Sequence, residues 1–480
     1  MGIKSNISYN LVLTLSGYVI GLITFPYVSR VLGVSNLGVI SFVDNTINYF
    51  ILFATLGAST IGTREIARFK GDKDKVNAVF TNLILLYTIY SVIVILLYFI
   101  AVTFIDKLNI YRELFYIGSA KLLFSVFLIE WLYRGLENFK FITTRSLIIK
   151  LIYVLSIFIF VNDRNDYIIY FVLTTLSVVI NGLINIFYSK NIVKFVFHEI
   201  NLKPYLKQSI ILGSYSILTS MYTTFNIMYL GFVSDTIQVG YYWASIKIYT
   251  IILGFYTAFT GAIMPRMSSL LSSGEKEEFN ELIVKSFDIL FAFCFPLIIF
   301  SIIHSPQIIH ILSGSEFGGA IFPMKIIMPL VLVVGIAQIL AIQVLIPLQK
   351  DKIILHASII GAIVGVFCNV VFVKKLGATG SAIVLLFSEI AVTSYYILKC
   401  RKSHIVKFPY KKLVKYFIIS LPYIFICNIS LKLFIEKEVA MILFTIVLFI
   451  LYFVYSHKFL LKSDTISKMF GLLINNIKNN

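Results

Sequence analysis

The sequence predicts an all-α integral membrane protein with about fourteen transmembrane helices. Its apolar runs are about 20 residues long, the length that a helix needs to cross the ~30 Å hydrocarbon core of a bilayer. Of the 480 residues, 59% are hydrophobic and 13% are charged, whereas a globular domain has about 25% charged residues. The runs are continuously apolar, as in 84–105 and 442–455, and lack the alternation of membrane-barrel strands. These observations argue against a soluble enzyme, a nucleic-acid-binding protein and a secreted module.

Each predicted span is an apolar run bounded by charged or turn-forming residues. The first run has only Lys4 before it and no clear cleavage site, so we interpret it as a retained helix rather than a signal peptide. The four cysteines are widely separated and predict neither a metal site nor a disulfide framework. The predicted spans are 7–30, 38–62, 78–105, 113–133, 143–161, 167–189, 208–232, 238–264, 283–303, 322–347, 353–373, 379–398, 414–433 and 440–457.

The distribution of Lys and Arg between the spans predicts the orientation. If the connections alternate between the two sides, one side receives about 29 of the 41 basic residues and the other about 9. The side rich in Lys and Arg is normally cytoplasmic. Both termini are therefore expected in the cytoplasm, and most of the net charge of +18 is explained by topology rather than by nucleic-acid binding.

An internal repeat predicts two related halves. Gly38 and Arg64 enclose one apolar run, and Gly240 and Arg266 enclose another at the same spacing 202 residues later. Each run is followed by a loop that contains a glycine and several charged residues. The offset contains six spans, so the halves run parallel, as in transporters built from repeats related by an axis along the membrane normal. The expected divisions are a lobe at 1–200, a lobe at 201–412, and two additional helices with a cytoplasmic tail at 413–480.

Short motifs in the first and later spans resemble those of bacterial polysaccharide flippases. The motifs are Pro26-Tyr-Val-Ser-Arg-Val-Leu-Gly33, Gly38, Leu56-Gly57, Arg64-Glu65, Ser315-Glu-Phe317 and Leu376-Gly377 with Gly380. The chain is thus similar to O-antigen and capsule repeat-unit flippases of the multidrug/oligosaccharidyl-lipid/polysaccharide exporter superfamily. The resemblance implies two six-helix bundles around a central cavity. It also implies transfer of undecaprenyl-pyrophosphate-linked oligosaccharide from the inner to the outer leaflet of the bacterial cytoplasmic membrane.

The resemblance also bears on substrate and partners. The sister lipid II flippase carries an arginine and an acidic residue in its first helix, whereas residues 20–27 of this chain are uncharged, which argues against lipid II as the substrate. Membrane lipid, a polysaccharide polymerase and a chain-length regulator are the other expected partners, and nucleic acid is not. No cofactor is expected, although Na⁺ or H⁺ coupling would be compatible with the sequence.

A flippase for such a lipid needs cations for the diphosphate and polar groups for the sugars. Ionisable residues inside spans usually face a functional cavity. Lys247 is the strongest candidate because it lies about ten residues into its span, and the repeat offset relates it to Asn45, next to Asp44. Asp44 and Asn48 share one helix face. A buried pair of Asp44 with Lys247, or snorkelling of Lys247, is the structural alternative.

The remaining candidates occupy span interiors and span ends. Lys121 is near mid-span, and Lys150 lies about seven residues from an edge, where snorkelling is the alternative. Terminal arginines suit phosphate oxygens but also serve as topology anchors. Hydroxylated aromatics suit sugar rings, and interhelical packing is their alternative. These further candidates for substrate binding are Arg30, Arg64, Arg266, Tyr215, Tyr222 and Asn226.

Three carboxylates are candidates for binding Na⁺ or a proton. Glu389 lies centrally in its span, Asp288 lies near the cytoplasmic edge, and Glu130 is placed to pair with Arg134 four residues on. The chain has no Walker motif, so ATP is not expected to drive it directly.

Two other functions compete with the flippase. A multidrug or cation exporter of the same superfamily would share the fold, but lysines at mid-span disfavour it. A membrane glycan polymerase or ligase would need a substantial outer loop for its acceptor, and the outer connections are short. We therefore expect a transporter and not an enzyme.

Overall fold

The computed structural model describes residues 3–198, 200–403, 405–434 and 437–456. All regular structure in these ranges is helical. The predicted C-terminal tail after residue 456 lies outside the described residues. The α-helices are α1 Ile3–Ala54, α2 Ala58–Arg68, α3 Lys73–Phe104, α4 Asp106–Asn109, α5 Arg112–Ser125, α6 Glu130–Gly135, α7 Phe139–Phe160, α8 Tyr167–Ser189, α9 Lys203–Ser220, α10 Thr224–Val233, α11 Thr236–Ser272, α12 Lys276–Ile303, α13 Ser305–Ser313, α14 Ile321–Ile327, α15 Leu330–Gln338, α16 Asp351–Cys368, α17 Lys374–Lys402, α18 Tyr410–Ser420, α19 Pro422–Leu433 and α20 Glu438–Tyr455.

Four shorter elements complete the helical structure of the described chain. Two are 3₁₀ helices, and two are π-helices that directly continue α15 and α16. A π-helix inserts an extra residue into the helical hydrogen-bond pattern and is frequent at functional sites. The 3₁₀ helices are Arg164–Asp166 and Ser315–Ala320, and the π-helices are Ile339–Leu345 and Asn369–Val373.

The described chain contains ten helices that are long and apolar enough to cross a membrane, or eleven if a bent pair is one span. The predicted all-α membrane fold is therefore confirmed, and the count of about fourteen is consistent with it. The two counts differ because two long helical stretches, Ser8–Arg68 and Asp351–Lys402, are each counted once but cover two predicted spans. In addition, the predicted span 208–232 is divided between α9 and α10.

Glycines allow the sharp changes of direction between consecutive spans. Gly33 interrupts α1 with φ 76°, and Gly377 interrupts α17 with φ 54°. These are left-handed values that glycine adopts at little cost because it has no Cβ. Both residues belong to the motifs that carry the family resemblance, and the structure gives them a conformational role.

The described chain forms two compact units. Of the described residues, the first contains those within 1–247 and 358–388, and the second contains those within 248–357 and 389–480. Within the first unit α1 packs against α3, α5, α7 and α10, and within the second α12 packs against α15, α18 and α19. The division into lobes at 200 and 412 stays a prediction.

The loops of the first unit gather at two ends, as the predicted alternation of sides requires. At one end Lys70 Nζ is 2.9 Å from Glu137 Oε2. This contact holds the pKa of the Glu137 carboxyl below its usual range through hydrogen bonding and charge attraction. At the other end Asn36 Nδ2 donates to the Arg164 carbonyl at 2.8 Å. The loops that contain Lys70 and Glu137, which we call the basic loops, thus share one end of the first unit.

The repeat-related glycines lie against each other. A Cβ on Gly38 would lie 1.8 Å from the Thr236 carbonyl oxygen, and a Cβ on Gly240 would lie 2.2 Å from the Val34 carbonyl oxygen. The Ser35 and Thr236 hydroxyl oxygens are 3.3 Å apart in the same region. Small residues of this kind let two helices approach closely in a membrane. The glycines of the repeat therefore mark where α1 meets the start of α11.

The additional helices α18, α19 and α20 pack within the second unit. The Phe293 ring on α12 is 5.4 Å from that of Phe453 on α20. His310 Nδ1 is 2.6 Å from Glu438 Oε2. The predicted pair of additional helices is therefore joined to α12 and α13 through both apolar and polar contacts.

Candidate functional site

A cluster of polar side chains lies inside the spans of the first unit and is centred on Asp44 of α1. Lys121 Nζ on α5 donates to Asp44 Oδ1 at 2.6 Å and to the Thr174 hydroxyl on α8 at 3.0 Å. Asn48 Nδ2 donates to the other carboxylate oxygen of Asp44 at 3.1 Å. Only 6% of the Lys121 side chain is exposed, against 35% of the Asp44 side chain. Lys121 is therefore the buried member of the pair, and Asp44 faces open space.

Three further ionisable side chains interact electrostatically with Asp44. They are Lys247 on α11, Tyr153 on α7 and Tyr170 on α8, and the two tyrosines hydrogen-bond to each other. Together with Asp44, Asn48, Lys121 and Thr174, they make up what we call the Asp44 cluster. It contains two lysines and one carboxylate, so its own net charge is positive.

The predicted residues Asp44, Asn48 and Lys121 are thus in direct contact, and Lys247 interacts with Asp44 through its charge. Asn45, by contrast, donates to the Ser41 carbonyl one turn earlier on its own helix at 2.8 Å. Tyr153, Tyr170 and Thr174 were not among the candidates. Their signal in the sequence is weak, because isolated tyrosines and threonines are common in membrane helices.

A second network lies nearer the basic loops, and its centre is Arg145 of α7. Arg145 hydrogen-bonds to Glu130 and to the Asn185 side-chain oxygen, and Tyr133 donates to the Asn185 carbonyl. Arg145 lies at the start of the predicted span 143–161 and was not among the candidates, although only 3% of its side chain is exposed. The signal that could have found it is Asn185, a polar residue in an apolar span that needs a partner.

Glu130 and Arg134 also line a pocket in the first unit. The pocket has a volume of about 390 Å³ and opens where α1 ends and α2 begins, next to the break between α5 and α6. Gly57, with φ 71°, forms the turn before α2. The residues that line this pocket are Ile51, Thr55, Ala58, Ser59, Tyr87, Ser125, Val126, Leu128, Glu130, Trp131 and Arg134. Glu130 therefore contacts Arg145 on its buried side and open space on the other.

Replacing Arg145 by methionine is expected to lower the free energy of unfolding by about 3 kcal/mol, because Glu130 and Asn185 both lose a buried charged partner. The four free cysteines are buried, so their labelling by a maleimide dye during heating reports unfolding. Arg134→Met is the matched control. Its guanidinium is 3.6 Å from Glu130 and its side chain is 35% exposed, so we expect a loss of less than about 1 kcal/mol. Equal losses in the two variants would show that Arg145 has no special structural role.

The basic candidates outside these networks have other partners. Lys150 Nζ donates to the Ser16 hydroxyl at 3.0 Å, so it joins α7 to α1 instead of reaching out to an edge. Arg64 donates to Gln208 at 2.8 Å, and Arg266 donates to Glu278 at 2.6 Å. Both arginine side chains are more than half exposed. Arg30 is exposed at the end of the first unit opposite the basic loops.

The two carboxylate candidates of the second unit differ in their surroundings. Asp288 accepts from Lys412 Nζ at 2.7 and 3.0 Å, and 14% of its side chain is exposed. It therefore joins α12 to α18. Glu389 is half-buried in α17, and no residue of the described ranges forms an ion pair with it. Of the two, Glu389 is the better placed to take up a proton or a cation.

Three candidates of the predicted span 208–232, Tyr215, Tyr222 and Asn226, would form one polar stripe on a continuous helix, but the helix is broken between them. Tyr215 lies on α9 and is 39% exposed, whereas Asn226 lies on α10 and is fully buried. Asn226 Nδ2 donates to the Tyr242 hydroxyl at 3.0 Å and to the Ser381 carbonyl at 2.8 Å. Tyr222 is buried in the turn between the two helices. Helix packing, the alternative interpretation, thus fits Asn226, and Tyr215 remains a candidate for sugar contact.

Comparison with known proteins gives a family match over more than half of the chain. The family model described as "Polysaccharide biosynthesis protein" matches residues 3–271. A proposed O-antigen transporter of Escherichia coli (strain K12) is 26% identical over 417 residues, covering 84% of this chain and 98% of that protein. A proposed O-antigen transporter of Shigella dysenteriae is 25% identical over 400 residues, covering 82% and 99%.

Solved structures show the same fold. The lipid II flippase MurJ in an inward closed conformation superposes with a TM-score of 0.77 at 16% identity, covering 95% of this chain and 100% of that chain. An inward-facing multidrug resistance transporter of the MATE family superposes with a TM-score of 0.60 at 16% identity, covering 84% and 95%. At these identities the likeness concerns the fold alone.

Proposed function

Because the chain belongs to the polysaccharide biosynthesis protein family, we propose that it is a flippase for lipid-linked oligosaccharide. It transfers undecaprenyl-pyrophosphate-linked repeat units from the inner to the outer leaflet for assembly of O-antigen, capsule or exopolysaccharide. It is a multi-pass membrane transporter and not an enzyme. The relatives with a proposed role in O-antigen transport support this substrate class over a drug or a cation.

The observation that carries the proposal is the Asp44 cluster. Charged side chains within membrane spans are costly, and they mark substrate or ion pathways. Here Lys121 forms an ion pair with the partly exposed Asp44, and the charge of Asp44 also acts on Lys247 of another helix. A net-positive polar cluster suits a pyrophosphate, whereas an exporter of cationic drugs would favour an acidic or apolar site. The tyrosines and Asn48 add hydrogen-bonding groups that suit sugar hydroxyls.

The finer features of the proposal follow from the charge pattern and the repeat. The protein lies in the bacterial cytoplasmic membrane with both termini in the cytoplasm, and it works by alternating access of two lobes divided near residues 200 and 412. Arg64 and Arg266 are repeat-related and lie where substrate would be loaded. Glu389 is the proposed site for a coupling proton or Na⁺. A polysaccharide polymerase and a chain-length regulator act next on the exported repeat units.

The test is leaflet-resolved accumulation of the lipid-linked glycan in a deletion strain. Spheroplasts are treated with a membrane-impermeant reagent that modifies sugars, before and after lysis. We expect complete repeat units to be protected until lysis, and a plasmid copy of the gene to restore their exposure. Normal outward exposure in the deletion strain would contradict the flippase. Unpolymerised repeat units accumulating outside the cell would point instead to a polymerase or ligase.

A further inference from the structure

The end of α17 and the segment that follows it enclose a basic pocket in the second unit. The pocket has a volume of about 1020 Å³. Four of its lining residues are cations and none is a carboxylate. The lining is Tyr395, Leu398, Lys399, Arg401, Lys402, Val406, Lys407, Phe408 and Tyr410. We call it the α17 pocket. The function proposed above makes no use of it.

The positive charge of the α17 pocket is not balanced by nearby carboxylates. Residues 395–415 contain seven Lys or Arg and no Asp or Glu. Among the described residues the only carboxylate paired with this segment is Asp288, and its partner is Lys412, outside the pocket. The four pocket cations therefore lie close together without an acidic partner in the described chain, and their mutual repulsion favours a bound anion.

The negative end of the α17 dipole explains the presence of only some of the four pocket cations. The C-terminus of a helix carries about half a negative charge, which a cation in the last turn offsets. The last turn of α17 already has Lys399, Arg401 and Lys402. Lys407 lies beyond the helix, in the segment that closes the pocket. The cations are thus more numerous than the helix end requires.

Aromatic rings give the pocket a fixed apolar wall. The Phe408 ring is 5.3 Å from that of Phe287 on α12 and 4.7 Å from that of Tyr410. Lys399 Nζ lies 5.4 Å from the centre of the Tyr395 ring, a distance at which cation–π attraction operates. Tyrosines beside basic residues are typical of the level of the lipid headgroups. The wall is therefore suited to a ligand that is charged at one end and apolar at the other.

The surface next to the pocket is apolar and open to lipid. Leu398 is 60% exposed, and on α18 Val414, Phe417 and Ile418 are each about half exposed or more. A phosphate held by the pocket cations could place its acyl or prenyl chains along these side chains. A soluble phosphate would gain nothing from this surface, whereas a lipid would.

We propose that the α17 pocket binds the phosphate of an anionic membrane lipid. Basic pockets between membrane helices on the cytoplasmic side are suited to phospholipid headgroups, and the cations offer charge-assisted hydrogen bonds to the phosphate oxygens. The site is separate from the Asp44 cluster, and the proposal does not depend on which glycan is transported. The same chemistry is found in an anionic phospholipid and in the phosphorylated carrier lipid.

The test counts lipids bound to the full-length protein by native mass spectrometry in detergent. Phosphatidylglycerol, phosphatidylcholine and undecaprenyl phosphate are titrated separately and in competition. For the variant K402Q/K407Q we expect the apparent affinity for phosphatidylglycerol to fall about tenfold or more. K411Q/K415Q is the matched control, because it removes two exposed lysines of the same segment that lie outside the pocket. We expect it to change the affinity less than twofold.

A second pocket variant distinguishes loss of lipid binding through lost charge from loss through a distorted structure. K402R/K407R keeps both charges and is expected to bind phosphatidylglycerol as the wild type does. If the substitutions acted only by distorting the loop, K402R/K407R and K402Q/K407Q would both lose binding. Displacement of phosphatidylglycerol by undecaprenyl phosphate would identify the carrier lipid as the source of the phosphate. If undecaprenyl phosphate does not displace phosphatidylglycerol, the source is the phospholipid. Equal losses in the pocket and control variants, or equal binding of phosphatidylcholine by the wild type, would overturn the proposal. Neither result depends on glycan export.

Discussion

Replacing Lys121 by methionine is expected to abolish display of the glycan on the cell surface and to reduce the amount of protein in the membrane. The lysine is buried and donates to Asp44 and Thr174. Removing one partner of a buried ion pair costs about 3–5 kcal/mol because the other charge is left uncompensated. Asp44 would lose its ion pair and keep the hydrogen bond from Asn48. Immunoblots of membranes and labelling of surface glycan measure the two effects separately.

The double variant D44N/K121M distinguishes a functional from a structural role of the pair. Neutralising both partners is often tolerated, since no uncompensated charge remains. We therefore expect the protein level to recover toward that of the wild type, while glycan export stays below about a tenth of the wild-type level. Recovery of export together with the protein level would mean that the pair only stabilises the fold, and the flippase site would have to lie elsewhere.

A matched control for this variant is available at the end of the first unit that carries the basic loops. Lys70 and Glu137 form a pair at 2.9 Å, with 46% and 58% of their side chains exposed. Exposed pairs contribute about 0–1 kcal/mol. K70M/E137Q removes the same types of charge and is expected to leave both protein level and export nearly unchanged.

The spans could be predicted from the sequence because length and hydropathy alone define them. The sharing of one end by the loops around Lys70 and Glu137 likewise follows from counting spans. The partner of Asp44 could not be predicted. A residue's position in a span fixes its depth in the membrane but not the neighbour that it faces. The sequence offered Lys247 through the repeat, whereas the cation that forms an ion pair with Asp44 at 2.6 Å is Lys121, on a helix that the repeat does not relate to Asp44.

Two other features depended on information that hydropathy does not contain. Arg145 lies at the edge of the predicted span 143–161, where a charged residue is normally solvated, so it was not among the candidates. In the structure α7 begins at Phe139, earlier than predicted, which draws Arg145 into the protein. The polar stripe from Tyr215 to Asn226 assumed one continuous helix, but α9 ends at Ser220 and α10 begins at Thr224. No glycine or proline within the stripe indicates this break.

The contact between the repeat-related glycines leads to a second large effect. In the proposed alternating-access cycle, the part of α1 around Gly38 and the start of α11 separate when the site opens outward, yet Gly38 and Gly240 bring the two backbones together there. A disulfide at this contact should therefore stop transport. Ser35→Cys with Thr236→Cys is the suitable pair, because the two hydroxyl oxygens are 3.3 Å apart, so the sulfurs would lie within bonding reach after small side-chain rotations.

Oxidation of cells carrying this double variant is expected to reduce the appearance of newly made surface glycan to less than about a tenth, and reductant should restore it. Each single variant controls for the substitutions, and neither should respond to oxidant, because the four native cysteines are buried. Mass spectrometry of the cross-linked peptide establishes how much protein carries the bond. Full transport by fully cross-linked protein would mean that α1 and α11 stay together throughout the cycle. In that case the substrate would have to leave by a path that does not open between them.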